Sequence, residues 1–289
     1  MLKPLLSLVF ALGFSTLSHS AELEIPPGVV FDRDIEYGRE DGEPLLLNLA
    51  KPKEGDALRP AVLCIHGGGF RAGTREGYNK TCLTLAANGF VAATVEYRLA
   101  PKFKFPAAVH DVKAAVRWFR ANASKLGIDP NRIGVMGGSA GGHLAQFLGV
   151  TAGVAEFEGT VNPGFSSSVT CVANYYGPSD FTKSYGKSVD AHEVLPLWFG
   201  GNLDEERHLH VIGSPLPWVT PNAAPTLLIH GTEDPYVAHE QAVWMRDRLE
   251  VCGVEVELMS MQGAGHGFKG ADAARADAAM LEFFRKHLR

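Results

Sequence analysis

Three side chains, far apart along the chain, have types that together could perform acyl transfer. Ser139 lies in "RIGVMGGSAGGHLA" (132–145), one hydroxyl among four glycines, between an apolar run and a helix-forming run. Glycine costs stability inside a strand or helix, so four of them around one serine need a reason. Residues 137–141 fit G-x-S-x-G, and between a strand and a helix these glycines allow a sharp turn that lifts the hydroxyl above the sheet. The helix that follows directs its positive end toward any anion formed there.

A serine hydroxyl is a weak nucleophile until a base takes its proton, and the base needs an orienting acid. In a strand–turn–helix setting the expected chain order is serine, acid, histidine. Four histidines follow the later strands: His230, His239, His266 and His287. His230 ends a strand ahead of the acid candidates, while His239 and His287 belong to helices. His266 sits in "QGAGHGF", a glycine-flanked loop after the last strand, and is the expected base. "PTLLIHGTEDPYV" delivers Asp234 at the end of the preceding strand, with Glu233 facing solvent. Asp180, in "YYGPSD" after an earlier strand, is the rival acid, because it too lies at a carboxyl end. A tetrahedral intermediate also needs backbone donors. "CIHGGGF" (64–70) supplies three glycines directly after a strand, and the expected donors are the amides of Gly67, Gly68 and Ala140. A phosphate loop is the competing reading of a glycine triplet, but no G-K-[ST] or G-x-G-x-x-G follows. His66 is read as holding this loop, and His143 as packing beside the serine. His208 and His210 are two apart and share no helix face; no pattern calls for a metal or cofactor.

The elements that must position these residues alternate along the chain. "VVFDRDIEYGREDGEPLLLNLAKP" reads as an antiparallel hairpin with its turn at Asp41-Gly42. Strands follow in "AVLCIH", "FVAATVEY", "RIGVMG", "VTCVANYY", "PTLLIHG" and "VEVELMSM". Helices are expected over 79–88, 106–126, from 141, over 238–251 and over 272–288. Most of these strands are nearly continuous apolar runs, as in a parallel sheet covered on both faces. The pattern predicts a mostly parallel, doubly wound α/β sheet with right-handed crossovers. Residues 180–222 break the rhythm, with Trp198, Trp218 and several prolines. They are expected to form a lid-like insertion or substrate wall, or else to pack on the scaffold. The two tryptophans would line a pocket or join the core.

The chain of 289 residues, 46% hydrophobic and 20% charged, has an ordinary globular composition. Its net charge of −5, with scattered basic residues, excludes a nucleic-acid footprint. "MLKPLLSLVFALGFSTLSHS" has an early lysine, an apolar run and small residues at Ser18 and Ser20, the layout of a signal peptide cleaved after Ser20. The competing reading is a membrane anchor, but the run falls short of the roughly 20 apolar residues a span needs. The expectation is a leader over 1–20, one domain over 21–289, secreted or periplasmic location and no stable membrane anchor. Cys64, Cys82, Cys171 and Cys252 lack zinc-ligand spacing; buried free thiols are expected, with one bridge as the alternative. The oligomeric state is left open.

Together "HGGGF", "EYRLAPKFKFPAAVHDVKAAVRWFR" (96–120), "GIDPNRIGVMGGSAGGHLA", "HGTEDPYV" and "GAGHGF" resemble the α/β-hydrolase superfamily. More narrowly, they resemble the hormone-sensitive-lipase-like esterases and their bacterial acetyl and feruloyl esterase relatives. The motifs run in family order over about residues 40–289. The resemblance implies the α/β-hydrolase fold, Ser139, Asp234 and His266 as a triad, and hydrolysis of carboxylic esters without a cofactor. Arg98 and Asp111 match a family segment and are expected to be structural. Gly138 stands where many hormone-sensitive-lipase-like members have an acid, and little chain precedes the first strand to form an N-terminal helical cap. Both features place the chain nearer the acetyl and feruloyl esterases.

The expected activity is therefore serine esterase action on short-chain or aromatic acyl esters, either small molecules or esters linked to a polysaccharide. Because His266 must be neutral to accept a proton, activity should fall on acidification. An amidase or exopeptidase would use the same machinery, and comparing p-nitrophenyl acetate with an aminoacyl anilide separates the two. A catalytically inactive binding homologue would fail to react with a fluorophosphonate probe.

Overall fold

The computed structural model describes residues 23–289 apart from positions 56, 185, 186 and 189. The expected leader over 1–20 lies outside the described residues. The first described elements are β1 (Val29–Glu40) and β2 (Glu43–Pro52), paired antiparallel about the Asp41-Gly42 turn. There follow β3 (Arg59–Ile65), α1 (Asn79–Ala87), β4 (Val91–Val95), α2 (Ala107–Ala121), α3 (Ala123–Leu126), β5 (Ile128–Gly138) and α4 (Ala140–Val150). After β6 (Cys171–Tyr175) come three short helices, α5 (Asp190–Glu193), α6 (Leu195–Phe199) and α7 (Arg207–Ile212). The chain closes with β7 (Thr226–Gly231), α8 (Glu240–Val251), β8 (Val256–Met261) and α9 (Gly270–His287).

Among the described residues, eight strands form one sheet in the order β1-β2-β4-β3-β5-β6-β7-β8. β2 runs antiparallel to β4, and from β4 onward every pairing is parallel. This is the predicted doubly wound sheet with its antiparallel hairpin, in the α/β-hydrolase arrangement. β3 shows why its sequence has no polar alternation. Leu63 and Ile65 face α2 and α4, with Val112, Val116, Phe119, Leu144 and Phe147. Val62 and Cys64 face α1 and α9, with Leu83, Leu85, Met280 and Phe284. Both faces are covered, so both must be apolar. All four cysteines are free thiols, three of them buried.

Two features brace the end of the sheet where the glycine loops lie. Arg98, just after β4, donates from its amide and guanidinium to the buried Asp111 carboxylate of α2 at 2.8–3.0 Å. The same guanidinium also reaches Asp41 in the hairpin turn. On the other side, Trp198 of α6 is fully buried and stacks on Phe70, with ring centroids 3.8 Å apart. Trp218 packs edge-on to Phe157 and donates its indole N–H to the Ile212 carbonyl at 2.8 Å. The described residues of 180–222 thus pack largely on the scaffold, and among them Glu193 and Val194 reach the cleft described below. Among the described residues, no helix is long and apolar enough to cross a membrane.

Candidate active site

Ser139 occupies the single residue between β5 and α4. Its backbone adopts φ 56° and ψ −124°, a strained conformation that costs on the order of 1–3 kcal/mol. Three contacts hold it there. The Ser139 amide donates to the Tyr175 carbonyl at 2.9 Å, and its carbonyl accepts the first α4 bond from His143 at 3.0 Å. The third is close approach: a Cβ at Gly141 would run into the Ile65 carbonyl oxygen, with the His66 oxygen 2.6 Å away. The glycines around the serine therefore let the elbow lie flat against the end of β3.

His266 enters from the loop after β8 and Asp234 from the loop after β7. His266 Nδ1 donates to Asp234 Oδ2 at 2.7 Å, and His266 Nε2 lies 2.9 Å from Ser139 Oγ. The carboxylate fixes the tautomer, with the proton on Nδ1 and Nε2 free to accept from the serine. Asp234 Oδ1 in turn accepts the amides of Tyr236 and Val237, each at 2.9 Å. Burial pushes the Asp234 carboxyl up, but hydrogen bonds from His230, His266 and the Val237 amide outweigh it and hold the group well below the usual carboxylate range. Asp180 is engaged elsewhere. It accepts from the Thr182 amide at 3.0 Å and its hydroxyl at 2.6 Å, and faces Lys183.

His230 contributes more than its place at the end of β7 suggested. It is fully buried, donates from Nε2 to the Val237 carbonyl at 2.8 Å, and lies 3.4 Å from Asp234 Oδ2 on the side away from solvent. The sequence signal was its spacing four residues before the acid, in "HGTED".

Gly67 lies against the serine: a Cβ there would stand 2.8 Å from the Gly138 carbonyl oxygen and 3.2 Å from Ser139 Cβ. Gly68, at φ +113°, turns its carbonyl to accept the amides of Arg71 and Ala72 at 3.2 and 3.0 Å. Ala140 opens α4 directly after the serine. His66 lies flat on Tyr97, 4.3 Å between centroids, with Nδ1 2.7 Å from the Gly67 carbonyl oxygen. It holds the loop and does not face the serine cleft. His143 is buried in the aromatic cluster of Phe70, Phe181 and Trp198, with Nε2 donating to the Gly213 carbonyl at 2.7 Å.

Ser139, His266, Gly67 and Gly68 line one cleft of about 520 Å³, within the range of small-molecule sites. Its remaining walls were not read from the sequence. Tyr78, Tyr176, Arg71, Glu193, Val194 and Tyr236 line it as well. Tyr176 follows β6 at the same end of the sheet, so its position at a strand end was the available signal. Only the fold brings the other side chains near the serine.

The chain matches the BD-FAE family model over residues 47–249. It is 36% identical to esterase LipC of Mycobacterium tuberculosis over 85% of this chain and 62% of that protein, so it spans less than two thirds of LipC. It is 30% identical to ethyl acetate hydrolase of Pseudomonas putida over 88% of this chain and 82% of that one. Among solved structures, a truncated carbohydrate esterase from gut microbiota superposes with a TM-score of 0.78 at 27% identity, covering 89% and 96% of the two chains. Esterase 2 of Thermogutta terrifontis, with propionate bound, superposes with a TM-score of 0.74 at 27% identity, covering 90% and 94%. By the extent of these matches and the sheet that carries them, the chain belongs to the BD-FAE family of α/β-hydrolases, among relatives that are ester hydrolases.

Proposed function

We propose that the protein is an exported serine esterase that hydrolyses short-chain or aromatic acyl esters, of small alcohols or of a polysaccharide. The observation that carries this reading is the unbroken relay from Asp234 through His266 to Ser139, at 2.7 and 2.9 Å, opening onto the cleft. In the reading, Ser139 Oγ attacks the ester carbonyl carbon as its proton passes to His266 Nε2. The amides of Gly67, Gly68 and Ala140 hold the oxyanion. Asp234 stabilises the imidazolium, which then gives its proton to the departing alcohol oxygen. The C–O bond breaks and an acyl-serine remains. Water, deprotonated by the same imidazole, attacks that acyl group, releases the acid and restores the serine. The names of the relatives, an ethyl acetate hydrolase and carbohydrate esterases, support small acyl groups and a sugar-linked alcohol.

The test is hydrolysis of p-nitrophenyl acetate beside an aminoacyl anilide, with Ser139→Ala as the comparison. The expected result is ester cleavage by the wild type, with turnover lower by about 10⁴-fold or more in the variant and an unchanged melting temperature. Fluorophosphonate labelling should vanish with the hydroxyl. Substantial residual turnover in Ser139→Ala would refute the nucleophile, and anilide cleavage without ester cleavage would refute the bond.

A further inference from the structure

A second, smaller cavity of about 120 Å³ lies beside the cleft on the α1 and α9 face of the sheet, with Thr81, Met136, Phe268, Ala273 and Ala276 in its walls. Tyr78 and Tyr176 line both spaces and so form the partition between them. Gly138 admits the two rings. A Cβ at that position would stand 2.7 Å from the Tyr78 hydroxyl and 3.1 Å from that of Tyr176. The missing side chain next to the nucleophile is therefore the space that both hydroxyls fill. Tyr176 is held in place at some cost. Its φ of 43° lies in the left-handed region, uncommon for a bulky residue. Its amide donates to the Ile229 carbonyl at 2.8 Å, and its ring stands edge-on to His266 at 4.8 Å and to Phe268 at 5.2 Å.

The two ends of the cleft differ. Arg71 and Tyr236 are exposed at its rim, whereas Tyr78 and Tyr176 close it beside the sheet. An alcohol must leave and be replaced by water, so it takes the open end. The acyl group, tethered to the serine, points to the closed end. This step rests on Ser139 being the nucleophile.

We propose that Tyr78 and Tyr176 are specificity-determining residues that shut the smaller cavity off from the acyl pocket and thereby limit the substrate to short acyl chains. Removing the Tyr78 ring joins the two spaces. The added volume is roughly the liquid volume of four waters; Met136, Phe268, Ala273 and Ala276 offer an apolar wall beside the polar Thr81, Tyr175 and Asp277, so it takes a few methylenes. Each one buried raises kcat/KM by about fourfold.

The experiment measures kcat/KM for p-nitrophenyl acetate, butyrate, hexanoate and octanoate. Wild type should decline beyond butyrate. Tyr78→Ala should raise the hexanoate-to-acetate ratio by about tenfold or more, which is two to three methylenes at that increment. Ala273→Leu, which fills the smaller cavity, should leave the wild-type ratio in place but cancel the gain when combined with Tyr78→Ala. Should Tyr78→Ala fail to fold, Tyr78→Leu should give the same shift at smaller size. An unchanged ratio in a folded, fluorophosphonate-reactive Tyr78 variant overturns the partition alone, as does a gain that Ala273→Leu does not remove. A wild type inactive on every ester overturns the serine-esterase reading and this inference with it.

Discussion

At the scale of single residues, the site depends on side chains kept in one protonation state by their surroundings. Asp234 is the clearest case, held ionised by two imidazoles and a backbone amide despite its burial. His143 is the opposite case. Complete burial pushes its pKa down to about 3, against which the bond to Gly213 pulls only partly. The sign of the consequence is fixed. Below about pH 6.5 the unfolded chain takes up a proton that the folded chain refuses until about pH 3, so acidification favours unfolding. Each pH unit in that window costs about 1.4 kcal/mol, and burial shifts His66 and His210 in the same direction. Urea midpoints should therefore fall steadily from pH 6.5 to 4, and His143→Gln should flatten part of that slope whatever it does to the midpoint at neutral pH. A midpoint constant across the window would mean that the His143 ring is not buried as described.

At the scale of elements, the aromatic stack under residues 180–222 links the insertion to the sheet. Trp198 touches Phe70, directly after the glycine triplet, and Phe105, just ahead of α2. Truncating it to alanine should cost about 3–5 kcal/mol, read as a lower urea midpoint. It should also raise KM more than it lowers kcat, because Val194 and Glu193 would lose their seat at the cleft. A variant as stable as the wild type would argue against this anchoring role. The strands and long helices were legible because each carries an apolar pattern longer than a turn. The predicted helix over 106–126 breaks at Asn122, whose side chain and amide both donate to the Trp118 carbonyl at 3.0 Å, a local competition with helix geometry. α5, α6 and α7 escaped notice because four to six residues are too few to show a helical period. Ser139, Asp234 and His266 were legible for a related reason: each stands in a turn directly after an apolar strand. Tyr78 had no such marker, because its place beside the cleft depends on which strands become neighbours.

At the scale of the whole molecule, Ser139 and His266 meet across 127 positions of sequence, and the strands that deliver the three residues are β5, β7 and β8. If the N-terminal segment acts as a leader, protein recovered from outside the cytoplasm should begin at Ala21, which Edman degradation or intact mass would read. Recovery of the full-length chain from the membrane fraction would instead favour an anchor. The place of β8, late in the order of the described elements, has a consequence for such a route. A chain threaded through a translocon in an extended state carries an alcohol as inert as any other serine in a nascent peptide. On that route the proposed capacity to cut esters would arise only at the destination, and acylated metabolites inside the producing cell would not meet it during synthesis.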